Sequence, residues 1–195
     1  SLILLSKLII IIMFENQLKE FIPIIEKTKL KSNIHRTGVS GVKYRGNYSG
    51  RTIAIGNPIK SQSFGLLINR LKDRYNLSVS AQNEKFPECY TALKEIANII
   101  DPNFQYNTIT LNKNVKARLH KDGSNVGISM IVAIGDFTGG GLYIENLETG
   151  NMELKDIKYN PVYFNGYLSQ HETEEFVGNR YSIIYYNTKI KSKRT

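Results

Sequence analysis

The chain has 195 residues, 41% of them apolar, with one Cys and no Trp, which fits one globular domain with a real core and excludes repeats, collagen-like sequence and long low-complexity tracts. A disulfide scaffold is ruled out by the lone Cys89, which reads as a small buried apolar residue in a reducing compartment. Net charge is +9, and the excess is local: Lys27 to Lys72 holds ten Lys and Arg and no Asp or Glu, while the remaining residues carry 16 basic and 17 acidic groups. Gly38, Gly41, Gly46, Gly50, Tyr44 and Tyr48 are interleaved there, a mixture suited to phosphate contact with stacking rings; the plainer alternative is a solvated basic face.

Residues 1–14, SLILLSKLIIIIMF, fall short of the roughly 20 apolar residues that a membrane span needs. Gln and Glu follow where a signal peptide would end in small residues. The expectation is an ordered apolar element docked on the domain or on a second copy, which makes it a candidate dimer contact; upstream translation before Met13 is the other reading. Residues 15–29 read as a helix, with Phe14, Leu18, Phe21 and Ile25 at helical spacing and Pro23 as a kink. Extended pieces follow near 39–45 and 51–55, then helices over 62–75, with Phe64, Leu67, Ile68 and Leu71 on one face, and over 87–100, opened by Pro87. From Phe104 the pattern turns to strands: Phe104–Leu111, Val115–Leu119, Val126–Ile134, Gly141–Glu145, Asn151–Leu154, Val162–Phe164, Glu172–Val177 and Tyr181–Tyr186. About eight short strands suit a jelly roll, or double-stranded β-helix. The fold class is therefore α+β, with N-terminal helices flanking the major sheet of a jelly-roll core. No linker divides the chain, so residues 1–195 read as one domain: a helical and basic part (1–103), the jelly-roll core (104–187) and a basic tail (188–195).

Two of the three histidines stand in a frame with chemical meaning. His120-Lys121-Asp122 on an extended stretch puts residues 120 and 122 on one side, since strand side chains alternate. His171, from a later strand, closes a three-ligand face. Two imidazoles and a carboxylate leave three coordination positions open, the arrangement of non-haem Fe(II) oxygenases. Arg180 offers a planar fork for a distal carboxylate, and Ser182 points the same way with a hydroxyl.

His-x-Asp, a later His and Arg-x-Ser in this order resemble the Fe(II)/2-oxoglutarate-dependent dioxygenases. Residues 111–145 and 158–187 resemble most the branch holding the TET and J-binding-protein nucleobase oxygenases and their algal, fungal and viral relatives. The shared strings are His120-Lys121-Asp122-Gly123-Ser124-Asn125, Gly140-Gly141-Leu142 and Gly178-Asn179-Arg180-Tyr181-Ser182. The resemblance implies that His120, Asp122 and His171 hold Fe(II), that Arg180 and Ser182 grip the far carboxylate of 2-oxoglutarate, and that dioxygen is the oxidant. It implies that Asn125 hydrogen-bonds a flipped base; as a turn residue it has an equally ready local role. Asn112 and Asn114 either reach the co-substrate or cap a strand. The cysteine-rich zinc-binding flank of the animal enzymes is absent, as is the second arginine of the AlkB-type ending. His35 matches no ligand position.

The expected activity is hydroxylation of a nucleic-acid base, a 5-methylpyrimidine first, with DNA preferred over RNA and phosphates gripped through segment 27–72 by Lys43, Arg45 and Arg51. The alternatives are a dioxygenase acting on a protein side chain or small molecule, and a non-catalytic nucleic-acid-binding module. The setting implied is intracellular, in nucleus or cytoplasm and of a cell or a virus, without secretion or a transmembrane segment.

Overall fold

The computed structural model describes residues 2–30, 32–33, 43–46, 52–55, 59–68 and 76–188. The elements are α1 (Leu2–Lys19), α2 (Ile22–Lys27), β1 (Ser32–Asn33), β2 (Lys43–Gly46), β3 (Thr52–Ile55), β4 (Ile59–Ile68), β5 (Leu77–Val79), α3 (Ala81–Lys85), α4 (Pro87–Ile100), β6 (Thr108–Lys113), β7 (Asn125–Gly139), β8 (Leu142–Glu145), β9 (Met152–Lys155), β10 (Val162–Phe164), β11 (His171–Thr173) and β12 (Phe176–Thr188). All strand pairings between these elements are antiparallel. The major sheet runs β1-β4-β6-β12-β7-β10 with β5 added to β4, the minor sheet β11-β8-β9, and β2 and β3 form a hairpin. This is the expected α+β architecture with a jelly-roll core.

The major sheet is covered on both faces, and strand parity sorts its residues. Ile109 and Leu111 of β6, Met130, Val132 and Ile134 of β7, and Tyr181, Ile183 and Tyr185 of β12 pack on Leu18, Ile25, Leu93, Ile96 and Ala97 of the helices. The alternate residues of β7, Ile131, Ala133 and Phe137, pack on Leu142, Ile144, Ile157 and Phe164 across the sandwich. Helix α4 matches its expected bounds. Pro87 suits its first turn, where no N–H is needed, and its buried Cys89, Leu93, Ile96 and Ala97 form one helical stripe.

Several expected elements change. The helix over 15–29 is two helices broken at Glu20–Phe21, just before Pro23. The first begins far earlier, at Leu2, and only its last turns dock: Leu18 is fully buried, whereas Leu4, Leu5 and Leu8 to Met13 are about half exposed or more. Leu4 to Met13 are thus helical but not laid onto the domain, whereas Phe14 packs on the core. No helix among the described residues is long and apolar enough to cross a membrane. The helix expected over 62–75 is strand β4 as far as Ile68, and residues 69–75 lie outside the described residues. Its apolar spacing imitates a helix, but six consecutive pairs with β6, from Lys60–Lys113 to Gly65–Thr108, satisfy its backbone, and long-range pairing overrides local pattern. Gly65, at φ 85°, sits where a side chain would strike the Asn107 carbonyl.

The extended pieces near 39–45 and 51–55 overlap the β2–β3 hairpin; residues 39–42 and 51 lie outside the described residues. The strand from Phe104 starts only at Thr108. Glu172–Val177 is split into β11 and the start of β12. The strand expected over Val115–Leu119 is irregular. Asn114, at φ 50°, ends β6: its N–H donates to the Arg180 carbonyl (2.8 Å) and its Oδ1 accepts from the Arg180 N–H (2.6 Å). Asn114 therefore caps a strand.

Candidate metal centre

His120 and Asp122 lie on the irregular link between β6 and β7, so strand alternation does not align them. Backbone bonds do. The His120 N–H donates to the His171 carbonyl (3.1 Å) and the His171 N–H returns the bond (3.0 Å), joining the link to β11 at one antiparallel bridge. Asp122 is held by its own N–H, which donates to the Gly166 carbonyl at 2.8 Å. A side chain at position 166 would crowd that carboxylate, since an added Cβ would lie 2.7 Å from Asp122 Oδ2.

The result is a triad. One donor atom each from His120, Asp122 and His171 lie within 4.8 Å of one another, the one such group of three among the described residues. His120 Nε2 is 3.6 Å from Asp122 Oδ1 and His171 Nε2 is 3.5 Å from Asp122 Oδ2, close to the separation of about 3 Å between neighbouring ligands of one ion at about 2.1 Å. Both ring Nδ1 atoms face backbone carbonyls, of Arg118 at 2.5 Å and Ser169 at 3.0 Å. With Nδ1–H donating, each Nε2 lone pair is left for a metal, the usual way that a second partner sets a ligating imidazole. Two neutral imidazoles and a carboxylate fit Fe(II).

The triad opens into a cavity with an empty volume of about 630 Å³, mouth included, whose wall is the other parity of the major sheet. Asn112, Arg180 and Ser182 all line it. Ser182 pairs with Asn112 in the β12–β6 register, and Asn112 Nδ2 donates to Ser182 Oγ at 3.3 Å. Arg180 is 1% exposed, with its guanidinium near the Phe137 and Phe176 rings at 5.8 and 5.3 Å. Its Nε donates to the Gly140 carbonyl at 3.0 Å, and an added Cβ at Gly140 would lie 2.9 Å from Arg180 Cδ and Nε. Burial brings the guanidinium down to about 10, so it stays charged at neutral pH. No Asp or Glu among the described residues forms an ion pair with it. A buried cation without a protein carboxylate, at the far wall of a metal-site cavity, fits one carboxylate of a small dianion.

Asn125 is also in the cavity wall, but its Nδ2 donates to Asp122 Oδ2 at 3.1 Å and approaches Ser129 Oγ at 3.5 Å. Thr110, Phe164 and Tyr186 line the cavity too and were missed from sequence. Thr110 and Tyr186 are in phase with Asn112 and Ser182, so strand alternation was the signal. Lys43 and Arg45 fall on β2, and their side chains lie outside the described residues, as do Arg51 and His35.

No protein-family model matches the sequence, and no curated protein matches it. Among solved structures, NgTET1 in complex with 5mC DNA is similar at 17% identity and TM-score 0.44, over 66% of this chain and 61% of that one, under two thirds of its length. A 2OG-Fe(II) oxygenase family oxidoreductase from Burkholderia pseudomallei is similar at 14% identity and TM-score 0.42, over 74% and 70%. A Pseudomonas putida prolyl-4-hydroxylase follows at 11% and TM-score 0.40, over 68% and 70%. These likenesses are distant, and the residues are the stronger ground: a converged His-Asp-His triad and a buried arginine line one cavity, a set that fits a divalent metal ion together with a small dianion.

Proposed function

We propose that the chain hydroxylates a nucleic-acid base, a 5-methylpyrimidine first, with His120, Asp122 and His171 holding iron and with Arg180 and Ser182 holding the far carboxylate of 2-oxoglutarate. When bound, iron and 2-oxoglutarate supply the oxidation: dioxygen is divided between the substrate, which gains a hydroxyl, and the 2-oxo acid, which leaves as succinate and carbon dioxide. The protein's own part is to fix ligand geometry, to neutralise the co-substrate with a buried cation and to present one substrate carbon to the metal face.

The observation that carries the choice of substrate is the place where the acid-free segment joins the fold. Strand β4, within Lys27–Lys72, is hydrogen-bonded to β6, the strand that brings Thr110 and Asn112 to the cavity, with Ser61 opposite Asn112 and Ser63 opposite Thr110. A cationic stretch anchored one strand from the cavity supports a polyanionic substrate. Phe164 and Tyr186 in the cavity wall support a planar ring within it. A base in duplex DNA would have to be flipped out of the stack, at a few kcal/mol.

The test is anaerobic incubation with Fe(II) and 2-oxoglutarate, then oxygen, with mass spectrometry of nucleosides from methylated and unmodified DNA and RNA. A hydroxylated 5-methylpyrimidine is expected. Binding should weaken with salt, and Ala at Lys43, Arg45 and Arg51 together should flatten the logarithmic slope by about two to three. Succinate release without any oxidised nucleoside, and no binding of DNA or RNA at moderate salt, would transfer the assignment to a protein side chain or small molecule.

A further inference from the structure

Asp122 presents two oxygens almost equally to the histidine pair: Oδ1 is 3.6 Å from His120 Nε2 and Oδ2 is 3.5 Å from His171 Nε2. Proximity alone therefore does not decide how many of them an ion takes. Carboxylates bind divalent ions through one oxygen or through both. Three open positions around the ion require one.

Asn125 breaks the symmetry. It is 7% exposed, it opens β7, and its own N–H closes the Asp122–Asn125 turn onto the Asp122 carbonyl at 3.1 Å. From that seat its Nδ2 donates to Oδ2 (3.1 Å) and lies 3.5 Å from the hydroxyl of Ser129, a fully buried β7 residue. The same oxygen sits in the recess that Gly166 leaves open.

We infer that Asn125 is a positioning residue that ties Asp122 Oδ2 to the major sheet, so that the carboxylate serves the metal through one oxygen and a coordination position stays open. This rests on the metal-centre reading but on no choice of substrate. The removal of the donor frees Oδ2 to turn onto the ion, and a second carboxylate oxygen then replaces one water.

The experiment uses Mn(II) alone, with the full chain and no substrate. Binding is titrated by electron paramagnetic resonance, and bound exchangeable waters are counted by water-proton relaxation, for the parent, Asn125→Ala and Asn125→Leu. The leucine variant keeps the branched side-chain shape, without a donor, if alanine fails to fold, and the thermal midpoint of the metal-free protein is recorded for each. The expected result is about three bound waters in the parent and about two in the variants, with Mn(II) affinity about tenfold lower. An unchanged water count in the variants overturns the inference whatever the affinity does, and unchanged Mn(II) binding together with lost base oxidation makes Asn125 a reader of substrate. A parent chain that binds no Mn(II) overturns the metal-centre reading itself.

Discussion

Replacement of Arg180 by lysine removes the guanidinium fork and keeps a formal charge, so it separates bidentate recognition from simple electrostatics. Arg180 Nε is committed to the Gly140 carbonyl at 3.0 Å, which leaves the terminal nitrogens for a ligand carboxylate. Lysine has one nitrogen for both tasks, so at least one charge-assisted hydrogen bond is lost, about 1.5–3 kcal/mol. That corresponds to roughly a tenfold to hundredfold weaker binding of 2-oxoglutarate. A second effect follows from burial, which takes the arginine from 12.5 to about 10. The same desolvation would hold a lysine there below its ordinary value near 10.4. A cation depressed in this way binds an anion well below its free-protein pKa and loses the anion as pH rises through it. Parent affinity should then stay level up to about pH 9, while that of Arg180→Lys starts to fall at lower pH than the parent's. Anaerobic calorimetric titration of 2-oxoglutarate into the Mn(II)-loaded protein across that range reads both effects. Affinity within twofold of the parent, with the same pH profile, would refute the role of Arg180.

Gly140→Ala should weaken 2-oxoglutarate binding with Arg180 still present, because the new Cβ would crowd Arg180 Cδ and Nε at 2.9 Å and the φ of 73° disfavours a side chain; unchanged affinity by the same titration would refute this. Asp122→Ala should abolish measurable Mn(II) binding, since it removes the one carboxylate of the triad; retained binding by paramagnetic resonance would count against the triad. Phe64→Ala should lower unfolding free energy by about 3–5 kcal/mol, because Phe64 is fully buried and stacked on Tyr90 at 5.9 Å; a loss under about 1 kcal/mol in urea titration would contradict its place in the core. Cys89 should react with a thiol reagent only after denaturation, as burial both shields the thiol and raises its pKa; rapid labelling of the native protein would refute it.

Residue types and their order were enough to pick out the side chains of the candidate site and the alternation of β6 and β12, two of the strands that line it. His120, Asp122, His171, Arg180 and Ser182 were legible because their residue types are scarce and their order is particular. The alternation in Thr108–Lys113 and Arg180–Tyr186 is local, with a period of two that any strand must obey. Helix α4 was legible for the same reason, as its apolar stripe repeats within its own residues. Tertiary structure decided what depends on partners far along the chain. Strand β4 carries a helical spacing of apolar residues, and its pairing with β6 lies more than 40 residues away. His120 and Asp122 face one point because His171 and Gly166 hold their backbones, and Asn114, at a positive φ, ends the strand that would have carried them elsewhere. The task of Asn125 was open for the same reason: its residue type admits turn, base or carboxylate, and only folding brings Asp122 Oδ2 to its amide. Local periodicity is set by backbone geometry, whereas a convergent site is set by hydrogen bonds that no short window of sequence contains.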